Sequence, residues 1–251
     1  MNIIKKLLFY VSVPKCVSCG ERLDINDRGV CSLCLKEYKI QKLRECSVCS
    51  KVLSRCTCTN DYLKTHYVKK LVKLFRYVGN DINEESPSNM LVYSMKRDNR
   101  EDVLCFLSDE LCDAIRHNLN INEEYIVTSV PRRKKAIKRY GIDHAKLLAK
   151  AVAKRLGIPY YALLKSTAKA PQKKMHGFER IKNAEFDYKL RIPDIKNRRV
   201  IIIDDVVTSG ASMGRCAMLI QALKPKEIVG AALSIAYRDK GIDFEKSRPF
   251  A

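Results

Sequence analysis

Two adjacent aspartates, Asp204 and Asp205, stand just before a run of small and hydroxylic residues, Thr208, Ser209, Gly210, Ala211 and Ser212. Small residues feeding a helix N-terminus leave several backbone N–H groups unpaired at one point. With the helix dipole these make a seat for phosphate. Gly210 permits close backbone approach, and the Thr and Ser hydroxyls add donors. Two carboxylates would repel phosphate itself, but they suit the hydroxyls of a sugar whose phosphate lies in the turn. A 5-phosphorylated ribose satisfies both halves. A solvated acidic turn before a capped helix would account for Ser209 as an N-cap, but not for the paired aspartates.

A second group of reactive residues lies at the other end of the chain. Of eleven cysteines, eight fall in two quartets. Cys16 and Cys19 are followed by Cys31 and Cys34, each pair with two residues between its members; Cys46 and Cys49 are followed by Cys56 and Cys58, the last pair separated by one. A C-x-x-C turn aims two thiolates at one tetrahedral ion, and a second pair closes the shell. The spacing predicts one or two structural Zn²⁺ sites within residues 14–60, in a module too small to fold on its own core. Disulfides are the competing reading. His66 is an alternative to Cys56 or Cys58 in the second quartet. Cys105, Cys112 and Cys216 lie in apolar periodic patterns and read as core thiols.

The elements that must position these groups follow from periodicity. Val200 to Ile203 is a continuous β-branched run, as in a strand buried on both faces of a parallel sheet, with the aspartates at its carboxyl end. Met213 to Leu223 has helical spacing. Leu71 to Val78, Glu124 to Pro131 and Ile228 to Ala236 read as further strands, and residues 101–117 as a helix. Arg132 to Arg139 carries six cations in eight residues and reads as a basic loop after the second strand. Asp143 caps a helix ending near Gly157 and Pro159. Residues 3–13 read as a short amphipathic helix, residues 166–186 as a cover over the sheet, and residues 238–251 as a charged tail. The fold class is α/β, a mainly parallel sheet with flanking helices plus a Cys-rich zinc-ribbon module. The expected division is 1–62 for that module and 63–251 for the larger domain.

The stretch I-I-I-D-D-V-V-T-S-G-A-S resembles the phosphoribosyl pyrophosphate (PRPP) motif of the type I phosphoribosyltransferases. That resemblance implies ribose-hydroxyl and catalytic roles for Asp204 and Asp205. It implies PRPP binding along Val207, Thr208, Ser209, Gly210, Ala211 and Ser212, with Mg²⁺ accompanying PRPP. Three further features resemble the ComF family, which joins a cysteine-rich zinc module to a phosphoribosyltransferase-like domain. The first is S-V-P before basic residues, then K-R-Y-G-I-D-H-A-K-L-L-A. The second and third are K-A-P-Q at Lys169 to Gln172 and E-R-I-K-N-A-E-F at Glu179 to Phe186. Tyr140 stands where that family usually has Arg, with Arg139 just before it, and His144 falls within the element that replaces G-F-N-Q. Lys96 matches the family's L-K-Y/F lysine. Lys96, Arg132, Arg133 and Arg139 are therefore the candidates to meet pyrophosphate.

The resemblance implies a role in DNA uptake and natural transformation, with competence helicase or DNA-processing proteins as partners. Two functions stay open: phosphoribosyl transfer from PRPP to an unknown acceptor, or non-catalytic binding of single-stranded DNA with the PRPP site a sensor or relic. The formal net charge of +20 over 251 residues favours polyanionic partners. No stretch is long enough to span a bilayer, and a cytoplasmic location is expected.

Overall fold

The computed structural model describes residues 13–77, 86–167 and 186–236, except for the side chains of residues 139 and 140. Its centre is a four-stranded parallel sheet in the order β1-β6-β5-β2. The strands are β1 (Lys70–Tyr77), β2 (Tyr125–Ser129), β5 (Arg199–Val207) and β6 (Glu227–Ala236). Side chains alternate along each strand. Ile201 and Ile203 thus enter one apolar core while Val200 and Ile202 enter the other. Burial on both faces is why β5 reads as an unbroken apolar run.

Three helices cover the first face: α3 (Pro87–Arg97), α4 (Glu101–Asn118) and α6 (His144–Leu156). The second face carries α7 (Ala211–Gln221) and the short α2 (Asp61–Thr65). The caps are legible in the chain. Asp143 Oδ1 accepts from the Lys146 N–H, and Gly157 ends α6 in the left-handed region. Ser86 caps α3 with Pro87 at its first turn.

The connections place the site. From β2 the chain passes through α6 on the first face and returns outside β2, where Tyr160 bridges Val127 in parallel. From β5 it passes through α7 on the second face to β6 on the other side. The two paths part between β2 and β5, and a crevice opens beyond their carboxyl ends, as expected at such a switch point. A two-stranded antiparallel ribbon, β3 (Leu164–Ser166) with β4 (Phe186–Tyr188), flanks it. Tyr188 Oη donates to the Leu219 carbonyl and ties the ribbon to α7.

Several expectations change. The β5 strand does not stop before the aspartates: it runs to Val207, because Asp204 and Val206 keep their ladder partners Ala232 and Ser234 on β6. The basic segment after β2 is not all loop. Lys134–Tyr140 forms a helix, α5, ended by Gly141 at φ 76°. Its Lys, Ala and Arg residues are good helix formers. Asp98 to Arg100 separate α3 from α4. The N-terminal helix expected at 3–13 lies almost wholly outside the described residues. So do most of the cover at 166–186 and all of the tail at 238–251.

The cysteine module, with α1 (Ser32–Lys42), packs directly on α4. Cys16, Leu23, Val30, Cys34 and Tyr38 share the first-face core with Leu107 and Leu111. Polar contacts reinforce the seam: Arg28 pairs with Asp109 at 2.8 Å, the Gly29 N–H donates to Asp102 at 3.0 Å, and Tyr38 Oη donates to Glu110 at 3.0 Å. The division placed after residue 62 falls inside α2.

Candidate functional site

Strand alternation separates the two aspartates. Asp205 shares a face with Ile201 and Ile203 and meets Lys96 at 3.2 Å and Arg132 at 3.6 Å. Lys96 arrives from the last turn of α3, and Arg132 comes just after Val130 and Pro131 at the end of β2. Asp205 is buried and its charge is answered by these two cations. Asp204 turns toward α7. Its carboxyl is pushed up to about 8, first by burial and then by the neighbouring Asp205. On that side the buried Cys216 thiol is raised well above its usual value, by burial first and by Asp204 next. The pair thus divides into one neutralised carboxylate and one that holds its proton near neutral pH.

The small-residue turn is built from outside as well as within. Gly210 sits at φ 79°, a conformation costly for a side chain, and a Cβ there would lie 2.7 Å from Leu63 Cγ. Asn60 caps α2 through Oδ1, which accepts from the Leu63 N–H, and its Nδ2 donates to the Ser209 carbonyl at 3.2 Å. The cap of α7 is Gly210 rather than Ser209, although Ser209 Oγ accepts from the Ala211 N–H at 3.4 Å. Thr208 is exposed, Val207 buried at the end of β5, and Ser212 on the first turn of α7. Ser212, at the start of α7, lines the cleft, where N–H groups without an intrahelical partner can serve as donors to an anion.

His144, the first residue of α6, is buried between two partners. Its Nδ1 lies 2.6 Å from an Arg132 nitrogen and its Nε2 lies 2.9 Å from Asn99 Oδ1. Arg132 can only donate, so Nδ1 accepts and Nε2 carries the proton given to Asn99. Burial, then the Arg132 charge, lowers the His144 pKa and keeps the ring neutral. The ring therefore orients Arg132. Arg132, Arg133, Ser166, Asp204, Asp205 and Ser212 line one cleft of about 270 Å³. The structure brings together Lys96, Arg132, Arg133, Asp204, Asp205 and the 208–212 turn. The side chain of Arg139 lies outside the described residues. Asn60 and Asn99 were missed in the sequence. Their signals are faint: an Asn-Asp pair before a short helix, and an Asn at φ 53° between two helices.

Each cysteine quartet forms a compact group, with all four Sγ atoms within 4.8 Å of one another. A tetrahedral ion with Zn–S bonds of about 2.3 Å sets sulfurs about 3.8 Å apart. Cys19 and Cys31 lie at 3.7 Å and Cys49 and Cys56 at 3.5 Å. Both quartets use the same tight turn. The Gly20 N–H donates to the Cys16 carbonyl at φ 76°, and the Ser50 N–H donates to the Cys46 carbonyl at φ 55°. The one-residue gap is accommodated by the Cys58 N–H donating to Cys56 Sγ. His66 belongs to neither group: it stacks on Tyr62 with centroids 3.9 Å apart. Both quartets could hold zinc. Cys112 and Cys216 are buried thiols, and Cys105 is half-buried.

Residues 143–248 match the family model described as Phosphoribosyl transferase domain. Among curated relatives, Competence protein F of Haemophilus influenzae is 25% identical over 225 residues, which is 85% of this chain and 93% of its own length. DNA utilization protein YhgH of Salmonella typhimurium is 23% identical over 212 residues, 82% of this chain and 89% of its own. Among solved structures, purine phosphoribosyltransferase from Pyrococcus horikoshii Ot3 is 20% identical, covering 52% of this chain and 70% of its own with a TM-score of 0.34. No helix among the described residues is long and apolar enough to cross a membrane.

Proposed function

We propose that this homologue of the ComF-family proteins, a phosphoribosyltransferase-like chain related to competence and DNA-utilization proteins, binds PRPP in the crevice between β2 and β5. One observation carries the reading. Two cations, Lys96 and Arg132, converge on Asp205 at the mouth of a cleft that Asp204 and the first turn of α7 also line. The 5-phosphate takes the N–H groups of the 208–212 turn. The ribose hydroxyls take Asp204 and Asp205. The pyrophosphate competes with Asp205 for Lys96 and Arg132, with Arg133 at the rim. In a transfer reaction the ribose C1–O bond to pyrophosphate breaks as an acceptor nucleophile bonds to C1, and positive charge develops on the ring. The aspartates hold the ring, and the cations receive the electron pair leaving with pyrophosphate. Mg²⁺, when bound with PRPP, would offset pyrophosphate charge; Asp205, and Asp204 once it gives up its proton, would offer hard carboxylate oxygens suited to it.

The two halves of the ligand separate the two halves of the site. Arg132→Ala and Lys96→Ala are each expected to weaken pyrophosphate about 10- to 100-fold, the loss of a charge-assisted contact. Binding of ribose 5-phosphate should stay within about threefold. Calorimetric titration of each half-ligand checks this. If neither half-ligand binds the metal-loaded wild type, the reading fails.

A second role is favoured by the net charge of +20 and the relatives' names. We propose that the surface also carries single-stranded DNA to DNA-processing partners. Electrostatic binding of this kind gives a linear fall of log K with log salt. A flat salt dependence contradicts it.

A further inference from the structure

We infer that Lys73 is the built-in counter-charge of the second cysteine quartet, which makes Cys46, Cys49, Cys56 and Cys58 a tetrathiolate metal centre joined to the edge of the sheet. Lys73 lies inside the apolar run L-V-K-L-F of β1 and is only 2% exposed. A lysine so deep in a strand is rare unless something holds its charge. Its Nζ reaches the Cys58 carbonyl at 2.7 Å, Cys56 Sγ at 3.3 Å, and the Cys56 and Leu71 carbonyls at 3.4 Å each. Among the described residues no carboxylate pairs with it.

Carbonyl dipoles satisfy the ammonium's hydrogens but carry no net charge. Four neutral thiols add none, and neither do two disulfides. Four thiolates around one divalent ion carry a net charge of −2, and one of those sulfurs already contacts Nζ. Cys56 is also the most buried of the four, at 1% exposure, so water cannot answer its charge. The Cys58 N–H also donates to this sulfur, and the Cys49 sulfur lies 3.5 Å from it. The first quartet differs: Cys19 is exposed, and no lysine contact to its sulfurs is observed among the described residues. Its charge can be screened by solvent.

β1 is the outer strand of the sheet, and the Leu71 N–H donates outward to the Thr57 carbonyl at 2.9 Å. The segment carrying Cys56 and Cys58 therefore runs beside the open edge of β1, with Lys73 pinning it from within. Lys73 acts here as a positioning residue, through the thiolates, and not as a metal ligand.

The test uses the full chain, loaded with Zn²⁺ or with Co²⁺ as a spectroscopic probe. In Lys73→Met the second centre should release metal to a competing chelator at least about tenfold more readily, with its share of the thiolate-to-cobalt charge-transfer band lost and that of the first centre unchanged. After both metals are stripped, Lys73→Met should melt at or above stripped wild type, because the uncompensated cation is gone. A merely structural lysine would instead lower the melting temperature equally with and without metal, and that result overturns the assignment. So does a second centre in Lys73→Met that holds metal as wild type does. Should Lys73→Met not fold, Lys73→Arg and Lys73→Gln decide: retention of the second metal by the charged variant and its loss by the neutral one supports the inference, and equal retention overturns it.

Discussion

At the residue scale, the two aspartates are neighbours in sequence but not equivalents. Asp205 is paired with Lys96 and Arg132, while at half-buried Asp204 burial and the neighbouring Asp205 outweigh the same cations and push its carboxyl up to about 8. That shift has a sign in stability. The folded protein keeps a proton that the unfolded chain has already lost, so stability falls as pH rises from about 4 through about 8. Asp204→Asn should give no gain near pH 4 and about 1–3 kcal/mol by pH 8.5, read by denaturant titration at both values. An equal gain at both pH values would contradict the assignment of the raised pKa to this group. The sequence pointed to D-D and the turn that follows as the candidate site, and the structure places Asp204, Asp205 and Ser212 on one cleft. The division of labour between them was not, because it depends on which cations the fold carries to which face. Lys96 and Arg132 come from separate elements, and only the topology brings them to Asp205.

At the scale of elements, the 208–212 turn is shaped by α2 as much as by its own sequence. Leu63 closes on Gly210, Asn60 holds the Ser209 carbonyl, and Tyr62 lies where a Cβ on Gly214 would be, 2.8 Å away. Gly210→Ala meets both the left-handed penalty and the Leu63 side chain. It should cost at least about 1–2 kcal/mol of stability by thermal or chemical unfolding. It should also weaken ribose 5-phosphate more than pyrophosphate, by half-ligand titration; an effect on pyrophosphate alone would misplace the phosphate seat. Strand and helix identities were readable wherever burial imposed a period, as at Val200 to Ile203 and along α4 and α6. Boundaries were less so. Asp204 and Asp205 broke the apolar run of β5, yet the ladder to β6 continued through them. The cations of α5 masked a helix whose propensity was adequate and whose stop at Gly141 was plain.

At the scale of the whole molecule, the cysteine module and the sheet are packed as one body. Tyr38 and Cys34 share a core with α4, and the segment after Cys58 leads through Asn60 to the 208–212 turn. The zinc-type spacing was legible in the sequence. This shared packing was not, because it rests on contacts between residues far apart in the chain, such as Arg28 with Asp109. The ligand site must therefore be assayed in the metal-loaded full chain. The most direct measurement is calorimetric titration of that protein with PRPP and Mg²⁺, beside the double variant Asp204→Asn, Asp205→Asn. The account predicts saturable one-to-one binding by wild type and at least about 100-fold weaker binding by the double variant, consistent with the loss of two hydroxyl contacts of about 1.5 kcal/mol each. Equal binding by the two proteins, or none by folded wild type, would contradict it.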